Sequence, residues 1–289
     1  MIITKLMGGL GNQLFQYSAG KQLAYNQNAE LKFDVSFFSN IGKSTPRDYK
    51  LSCFNIVDKI ADKHDFREVL GAEWFRPIKR RLWKMGIDLF GWNYFIDQET
   101  GFQAEIPKLK KPAVLHGYWQ NELYFSNIRS VLLDEIVLKN SLITSKLRNK
   151  ITDIQDVESV AVHVRRGDYN ESIFHICPLQ YYLQAIKLLK RKYSNAHFFV
   201  FSDDIEWCKK NFTAEKFGNF VDYVTGFKDY EDLWLMSRCK HQIIANSSFS
   251  WWAAWLNPNP QKSVIAPKQW FKDEIRNSFH TLPEEWIIL

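Results

Sequence analysis

Cysteine is scarce in this chain of 289 residues, and long hydrophobic runs are missing from it. The four cysteines, Cys53, Cys177, Cys208 and Cys239, lie far apart and form no CxxC pair. Neither a thiolate metal site nor a disulfide framework is therefore expected. No apolar run reaches the length of about 18 residues that a membrane span needs, and the N-terminus lacks the pattern of a signal peptide. These absences favour a cytoplasmic protein with reduced thiols.

A dinucleotide signature and a concentrated block of charge are also absent. The glycines at positions 8, 9 and 11 do not form GxGxxG. The excess of 38 Lys+Arg over 32 Asp+Glu gives a net charge of +6 that is spread along the chain. This charge suits an anionic ligand, an acidic membrane surface or nucleic acid. Because no nucleic-acid motif accompanies it, nucleic-acid binding is not expected.

The densest basic stretch is KRRLWK at residues 79–84, which lies beside Trp74, Phe75, Phe90 and Trp92. Basic and aromatic side chains mixed in this way can rest on an anionic bilayer, so peripheral contact with the membrane is one interpretation. A solvated helix face that packs against the core is the favoured interpretation.

The hydrophobic pattern predicts an α/β fold. In the first half, strands are predicted at residues 2–6, 31–35 and 113–118, with a helix capped by Asn12 that runs to about Asn26. In the second half, strands are predicted at residues 159–164, 197–201, 220–224, 242–245 and 263–266, and helices at 178–193, 205–212, 229–239 and 248–256. Short strands alternating with helices imply parallel, Rossmann-like sheets. Two domains are expected, at residues 1–150 and 151–289, with the polar segment 139–155 at their junction.

Polar residues follow the first of these second-half strands, where parallel sheets bind ligands. Arg165 and Arg166 come directly after the strand, and Gly167 and Asp168 follow. Two guanidinium groups in series can grip a phosphate, and Asp168 could position an arginine or accept a proton. An ordinary arginine–aspartate turn is an equally good interpretation of the spacing alone.

Two further strand ends and the N-terminal loop carry candidate ligand groups. Asp203 and Asp204 could bind a divalent ion, although capping of the next helix is favoured. The hydroxyls of NSSFS at residues 246–250 begin a helix, where backbone N–H groups and the helix dipole suit a phosphate. A serine-capped buried helix explains this segment equally well. The loop GGLGNQ at residues 8–13 lets backbone approach a ligand closely, with a plain tight turn as the alternative.

Together these segments resemble the bacterial α-1,2-fucosyltransferases, inverting enzymes that use GDP-fucose. The matching segments are GGLGNQLFQY at 8–17, HVRRGDY at 163–169, FSDD at 201–204 and NSSFSWW at 246–252. The resemblance implies a GT-B architecture, in which two Rossmann-like domains face each other across a cleft. It places the acceptor side in residues 1–150 and the donor side in residues 151–289, and it implies catalysis without a metal or other cofactor.

The resemblance also implies roles for individual residues. Arg165 would contact the pyrophosphate, and His163 would lie near the ribose or the fucose. Asp168 and His163 are candidates for the general base, as is Asp34 or another N-terminal acid. The implied catalytic residues are Arg165, Asp168 and His163. The implied donor-binding residues are Gly8, Gly9, Asn12, Gln13, Arg165, Arg166, Ser202, Asp203, Asn246, Ser247, Ser248, Phe249 and Ser250.

The implied reaction moves L-fucose from GDP-β-L-fucose to the 2-hydroxyl of a galactoside. The expected partner is a galactose-containing glycan, and a lipid-linked one would be met at the cytoplasmic face of the membrane. Two alternatives stay open: a fucosyltransferase with another linkage or a protein acceptor, and a nucleotide- or carbohydrate-binding protein without turnover.

Overall fold

A computed structural model describes residues 1–39, 47–71, 93–97, 101–167, 174–213, 221–279 and 282–289. The chain divides into two compact units, Met1–Glu135 and Ile136–Leu289. The expected boundary after residue 150 would cut through a helix, Ser145–Gln155. This helix packs on strand Glu158–Val164 and helix Asp229–Arg238, so it belongs to the second unit.

The first unit is built on a parallel sheet. Its described strands are β1 (Ile2–Lys5), β2 (Leu31–Asp34), β3 (Tyr94–Ile96) and β4 (Ala113–His116), in the order β2-β1-β4-β3. The described α-helices are α1 (Leu10–Gln27), α2 (Ser36–Ser39), α3 (Lys63–Leu70) and α4 (Arg129–Glu135). Short 3-10 turns lie at Leu51–Cys53, Ile106–Lys108, Glu122–Tyr124 and Ser126–Ile128.

Helix α1 begins earlier than its sequence pattern predicted. Gly9 is the N-cap residue, and its carbonyl accepts the backbone N–H groups of Asn12 and Gln13. The prediction that Asn12 caps the helix is therefore wrong, because Asn12 already takes part in the first turn. The helix ends at Gln27, and its C-cap residue Asn28 has a φ of 47°, the left-handed conformation that asparagine tolerates.

The second unit is built on a larger parallel sheet. Its described strands are β5 (Glu158–Val164), β6 (Ala196–Ser202), β7 (Val221–Tyr223), β8 (His241–Ile243), β9 (Val264–Ala266) and β10 (Ile287–Ile288), in the order β10-β9-β8-β5-β6-β7. The described α-helices are α5 (Ser145–Gln155), α6 (Leu179–Lys192), α7 (Ile205–Asn211), α8 (Asp229–Arg238), α9 (Ser248–Leu256) and α10 (Glu274–Phe279), and a 3-10 turn lies at Asn140–Leu142.

Apolar side chains that are buried against the sheet stabilise the second unit. Val160 and Val162 of β5 pack in one hydrophobic cluster with Tyr182 and Ile186 of α6. Burying one such large side chain contributes roughly 1.5–3 kcal/mol. Helix α9 is apolar on all sides and is buried almost throughout. Among the described residues, no helix combines the length and apolarity that crossing a bilayer would need.

Candidate functional site

The central strands of the second unit bring the predicted segments to one edge. β5 pairs with β6 on one side and with β8 on the other, all in parallel. The register places Val164 beside Ser202, so Arg165 and Asp203 leave the sheet as neighbours. The loop after β8 leads into α9, which begins at Ser248. The sequence-based expectation that these strand ends share an edge is thus confirmed.

Asp203 ties the loop after β5 to the end of β6. Its Oδ2 lies 3.2 Å from Nη1 of Arg165. Its two carboxylate oxygens also accept the backbone N–H groups of Arg166 at 2.9 Å and Gly167 at 3.0 Å. A Cβ atom at Gly167 would lie 2.9 Å from Oδ2, which explains why glycine suits this position. Asp203 therefore positions Arg165, whereas the sequence had suggested Asp168 for this role.

Arg166 is held by a different pair of contacts. Its guanidinium lies over the Trp207 ring, 4.2 Å from the centroid. Nε is 3.5 Å from Oδ2 of Asp204, an ion-pair distance, but within the described part of the chain it makes no hydrogen bond. Asp204 also caps α7, because its Oδ1 accepts the N–H of Trp207 at 3.1 Å. Helix capping at this segment, which the sequence favoured, is thus observed. Arg166 keeps a buried N–H that a ligand oxygen could accept.

His163 lies on the other face of β5 from the valine cluster, since neighbouring side chains of a strand alternate. Its ring is 5.6 Å from the ring of Phe249 in α9. Burial, assisted by the charge of Arg165, lowers the pKa of His163 to about 3. The imidazole is therefore neutral near pH 7, and its Nδ1 has no hydrogen-bond partner among the described residues. A buried nitrogen without a partner is uncommon and is suited to a ligand group.

Several polar residues at this edge already have partners within the fold. Ser202 Oγ accepts the N–H of Asp204 at 2.9 Å. Ser247 is the N-cap residue of α9, and its hydroxyl accepts the N–H of Phe249 at 3.3 Å. The buried Asn246 donates to the carbonyls of His175 and Trp270.

The serines at the start of α9 differ in burial. The buried Ser250 hydroxyl lies 3.3 Å from the carbonyl of Ala245. Ser248 and Phe249 are half-buried at the first turn of the helix. This first turn presents the positive end of the α9 dipole at the strand edge. Asp168 and Tyr169 lie outside the described residues.

Hydrogen bonds of a buried glutamine hold the glycine loop of the first unit in place. Gly8 has a φ of +76°, and a Cβ there would lie 2.7 Å from Nδ2 of Asn12. Gln13 is fully buried, and its Nε2 donates to the carbonyls of Gly8 at 3.0 Å and Asp48 at 2.9 Å. Its Oε1 accepts the N–H of Lys50 at 2.9 Å. Gln13 therefore fixes the loop through its own bonds, while Gly9 keeps open space beside its Cα.

A strained turn follows β4, next to this glycine loop. Trp119 is fully buried with a φ of 54°, a conformation that side chains larger than glycine rarely adopt. Its backbone N–H donates to Oδ2 of Asp97 at 2.8 Å. Nε2 of Gln120 donates to Oδ1 of Asn12 at 2.8 Å, which joins this turn to the loop after β1. Strain of this kind persists at functional sites, so the turn is a candidate functional feature of the first unit that the sequence did not indicate.

A second missed residue is Asp232 in the first turn of α8. Burial, together with the neighbouring charges of Asp229 and Glu231, raises the pKa of its carboxyl to about 7. Its Oδ1 is buried, with no hydrogen-bond partner in the segments that the structure describes. The signal in the sequence was an acid directly before the apolar run LWLM. Helix α8 packs on α9, so this carboxyl belongs to the same group of helices as the serine segment.

Comparison with known proteins identifies the family. The model of glycosyl transferase family 11 matches residues 1–289. An α-1,2-colitosyltransferase of Escherichia coli is 36% identical over 99% of this chain and 98% of its own. The O-antigen biosynthesis glycosyltransferase WbnK of Escherichia coli is 29% identical over 98% of this chain and 99% of its own.

Solved structures agree at the level of the fold. A mutant of Arabidopsis thaliana FUT1 in complex with GDP is similar with a TM-score of 0.53 and 11% identity, over 92% of this chain and 70% of that chain. The expected GT-B-like α/β class is confirmed, with a parallel sheet in each unit. The chain belongs to glycosyltransferase family 11, the α-1,2-fucosyltransferase family.

Proposed function

We propose that this glycosyltransferase moves L-fucose from GDP-β-L-fucose to the 2-hydroxyl of a galactoside and forms an α-1,2 linkage. The observation that carries the proposal is the Arg165–Asp203 pair at the edge formed by β5, β6 and β8. The ion pair with Asp203 orients the guanidinium of Arg165 at this edge, and a guanidinium can bind a phosphate through two parallel hydrogen bonds. Inversion then requires one direct displacement at the anomeric carbon.

Charge develops on the β-phosphate as GDP departs, so fixed positive groups lower the barrier most. Arg165, Arg166 and the first turn of α9 would supply them. Because the carboxylates of Asp203 and Asp204 are engaged by arginines and backbone N–H groups, they are poorly disposed to bind a divalent ion. This supports a donor site that works without a metal.

The acceptor hydroxyl must lose a proton in the same step. A histidine whose pKa is about 3 is a weak base near pH 7. His163 is better suited to hydrogen-bond a ribose or sugar hydroxyl through Nδ1. Asp168 and Asp34 remain the proposed bases, and an unchanged pH–rate profile in Asp168→Asn would eliminate Asp168.

Colitose is a second candidate for the transferred sugar, because the 36% identical relative is named as an α-1,2-colitosyltransferase. Colitose is the 3-deoxy form of L-fucose, so the two donors differ by one hydroxyl. A site that hydrogen-bonds this hydroxyl rejects the deoxy sugar strongly, by roughly 10⁴-fold or more. The ratio of kcat/KM for the two donors therefore decides between them.

The proposal is tested by a donor screen with GDP-fucose, GDP-colitose and UDP-galactose against lactose. We expect transfer from GDP-fucose, with an α-1,2 linkage shown by NMR of the product. Another linkage, a peptide acceptor or a UDP-sugar preference would overturn it. Nucleotide binding without release of GDP would instead indicate a binding protein.

We also propose that the natural acceptor is a lipid-linked, galactose-containing glycan met at the cytoplasmic face of the membrane. The basic segment 79–84 that suggested membrane contact lies outside the described residues. Co-sedimentation with anionic vesicles tests this part: a variant with Arg80 and Arg81 changed to Gln should bind less.

A further inference from the structure

A groove of about 630 Å³ opens on the first unit, in the size range of ligand sites. It is lined by the end of α1, the turn into β2 and the segment around Val57. β2 begins at Leu31, so the groove lies at the amino ends of the strands. The Gly8–Gly9 loop follows β1 and lies at the opposite, carboxyl edge of this sheet. The groove is therefore separate from the glycine loop.

Two exposed apolar side chains from separate segments line this groove. Tyr25 of α1 is 62% exposed, and Val57 is 65% exposed. Among the described large apolar residues only Ile275, at 70%, is more exposed. Exposed apolar surface that converges on one concavity is typical of a binding site. A free tyrosine ring also offers a flat platform for a ligand.

The charges in the groove are compensated in pairs. Nζ of Lys21 lies 2.6 Å from Oε1 of Glu135, and Nζ of Lys59 lies 2.6 Å from Oε1 of Glu30. Such a lining does not favour a phosphate or another anion. Lys59 and Glu30 remain 52% and 40% exposed, so hydroxyl groups can reach their free donors and acceptors.

Asn28 completes the polar side of the groove. Its left-handed backbone places it at the turn that ends α1. Its exposed side-chain amide makes no hydrogen bond to the described residues, so a donor and an acceptor are both available. A platform ring, a free amide and a compensated ion pair together suit a neutral, hydroxyl-rich ligand.

We propose that this groove binds a neutral glycan, with one sugar ring on Tyr25 and hydroxyls on Asn28, Glu30 and Lys59. This glycan site is separate from the site of the reacting galactose, and binding in it does not depend on the proposed function.

The test compares a galactose-terminated tetrasaccharide with lactose, using calorimetry and initial rates. We expect Tyr25→Ala to weaken tetrasaccharide binding about fivefold, as loss of a stacking contact predicts. The affinity for lactose and the KM for the donor should not change. Ile275→Ala is the matched control, because this side chain is similarly exposed but does not line the groove.

Three results would overturn the proposal. The first is a wild-type protein that does not bind the tetrasaccharide, or one in which Tyr25→Ala binds it equally well. The second is an equal loss for lactose, which would assign Tyr25 to the reacting sugar. The third is self-association that Tyr25→Ala abolishes in sedimentation, which would assign the groove to a second copy of the chain. Failure of the proposed function would appear separately, as no turnover of donor while tetrasaccharide binding stays sensitive to Tyr25.

Discussion

Arg165 and Asp203 directly follow the neighbouring strands β5 and β6 and form an ion pair, with Nη1 3.2 Å from Oδ2. The same carboxylate accepts the next two backbone N–H groups of the Arg165 loop. Asp203 thus fixes the position of the Arg165 side chain, which would contact the leaving phosphate, and of the backbone that follows it.

Replacing Arg165 with alanine removes the proposed contact to the leaving phosphate. We expect kcat/KM to fall roughly 100-fold or more, with little change in the circular dichroism spectrum. Arg165→Lys keeps the charge but loses the planar fork, so its activity should be intermediate. Near-normal turnover by Arg165→Ala would remove the central element of the proposed mechanism.

Replacing Asp203 with asparagine loosens the Arg165 loop without removing Arg165. Misplacement of the guanidinium should lower kcat/KM by about tenfold or more, with a raised KM for the donor. Asp222→Asn is the matched control, because Asp222 pairs with His197 in the adjacent strands. Equal kinetic parameters for the two variants would show that Asp203 does not position Arg165.

Stability should fall in mild acid because of His163. Its pKa is about 3 in the folded chain, against an ordinary value of about 6.5. Between these values the unfolded chain binds more protons, so the free energy of unfolding decreases as pH falls from about 6.5, by at most about 1.4 kcal/mol per pH unit. Urea unfolding at pH 7, 6 and 5 measures this slope.

The control for this prediction is His163→Gln, which should show a flatter slope than the wild type. Burial also lowers the pKa of His241, but His241 is present in both proteins. The difference between the two slopes therefore isolates His163. Parallel slopes would mean that His163 is not buried as a neutral group.

The carboxyl of Asp232 should change the free energy of unfolding with pH in the opposite direction to His163. Its pKa is about 7 in the folded chain and ordinarily about 3.8, so the folded chain holds the extra proton in this interval. The stability that this proton gives the folded chain is fully present below about pH 3.8 and is lost as the pH rises through about 7. Asp232→Asn should therefore stabilise the protein at pH 8, by on the order of 1 kcal/mol after discounting for solvent.

The measurement for Asp232 is urea unfolding at pH 5 and pH 8. Asp153→Asn supplies the comparison, since this carboxylate is 56% exposed on α5. Asp153→Asn should behave as the wild type at both values. If Asp232→Asn is less stable than the wild type at pH 8, the carboxyl of Asp232 is not buried without a partner.

Activity should persist in excess chelator. The proposed positive groups at the leaving phosphate are Arg165, Arg166 and the α9 terminus, so a divalent ion has no required role. The initial rate with 10-fold and 100-fold excesses of EDTA over protein should match the untreated rate. A loss that Mg²⁺ or Mn²⁺ restores would reopen the metal interpretation of Asp203 and Asp204.

The sequence predicted five of the six described strands and four of the six described α-helices of the second unit, but not α5, α10 or β10. The prediction of a helix at residues 248–256 matches α9, and the strand and helix at 159–164 and 178–193 differ from β5 and α6 by one residue at some ends. These segments carry strong apolar periodicity or sharp turn signals, which are local properties. The prediction for Asn12 was wrong because it relied on asparagine being a common N-cap residue type. The N-cap residue of α1 is Gly9, which uses only its backbone.

The candidate site was only partly visible in the sequence. The order of the motifs indicated the strand edge and the two arginines. The partners of those arginines were not visible, because Asp203 and Asp204 lie almost forty positions away and meet them through the β5–β6 register. Asp232 and Trp119 were missed for the same kind of reason, since burial and strain arise from packing.

The sequence by itself therefore determined the family and the motifs, because residue types and their order are what family resemblance measures. It also determined the alternation of strands and helices, since periodicity is written in neighbouring residues. Only the tertiary structure decided which acid holds Arg165, which histidine is neutral and which carboxyl keeps its proton. Those properties depend on distance and on exclusion of water, and both are set by segments far apart in the chain.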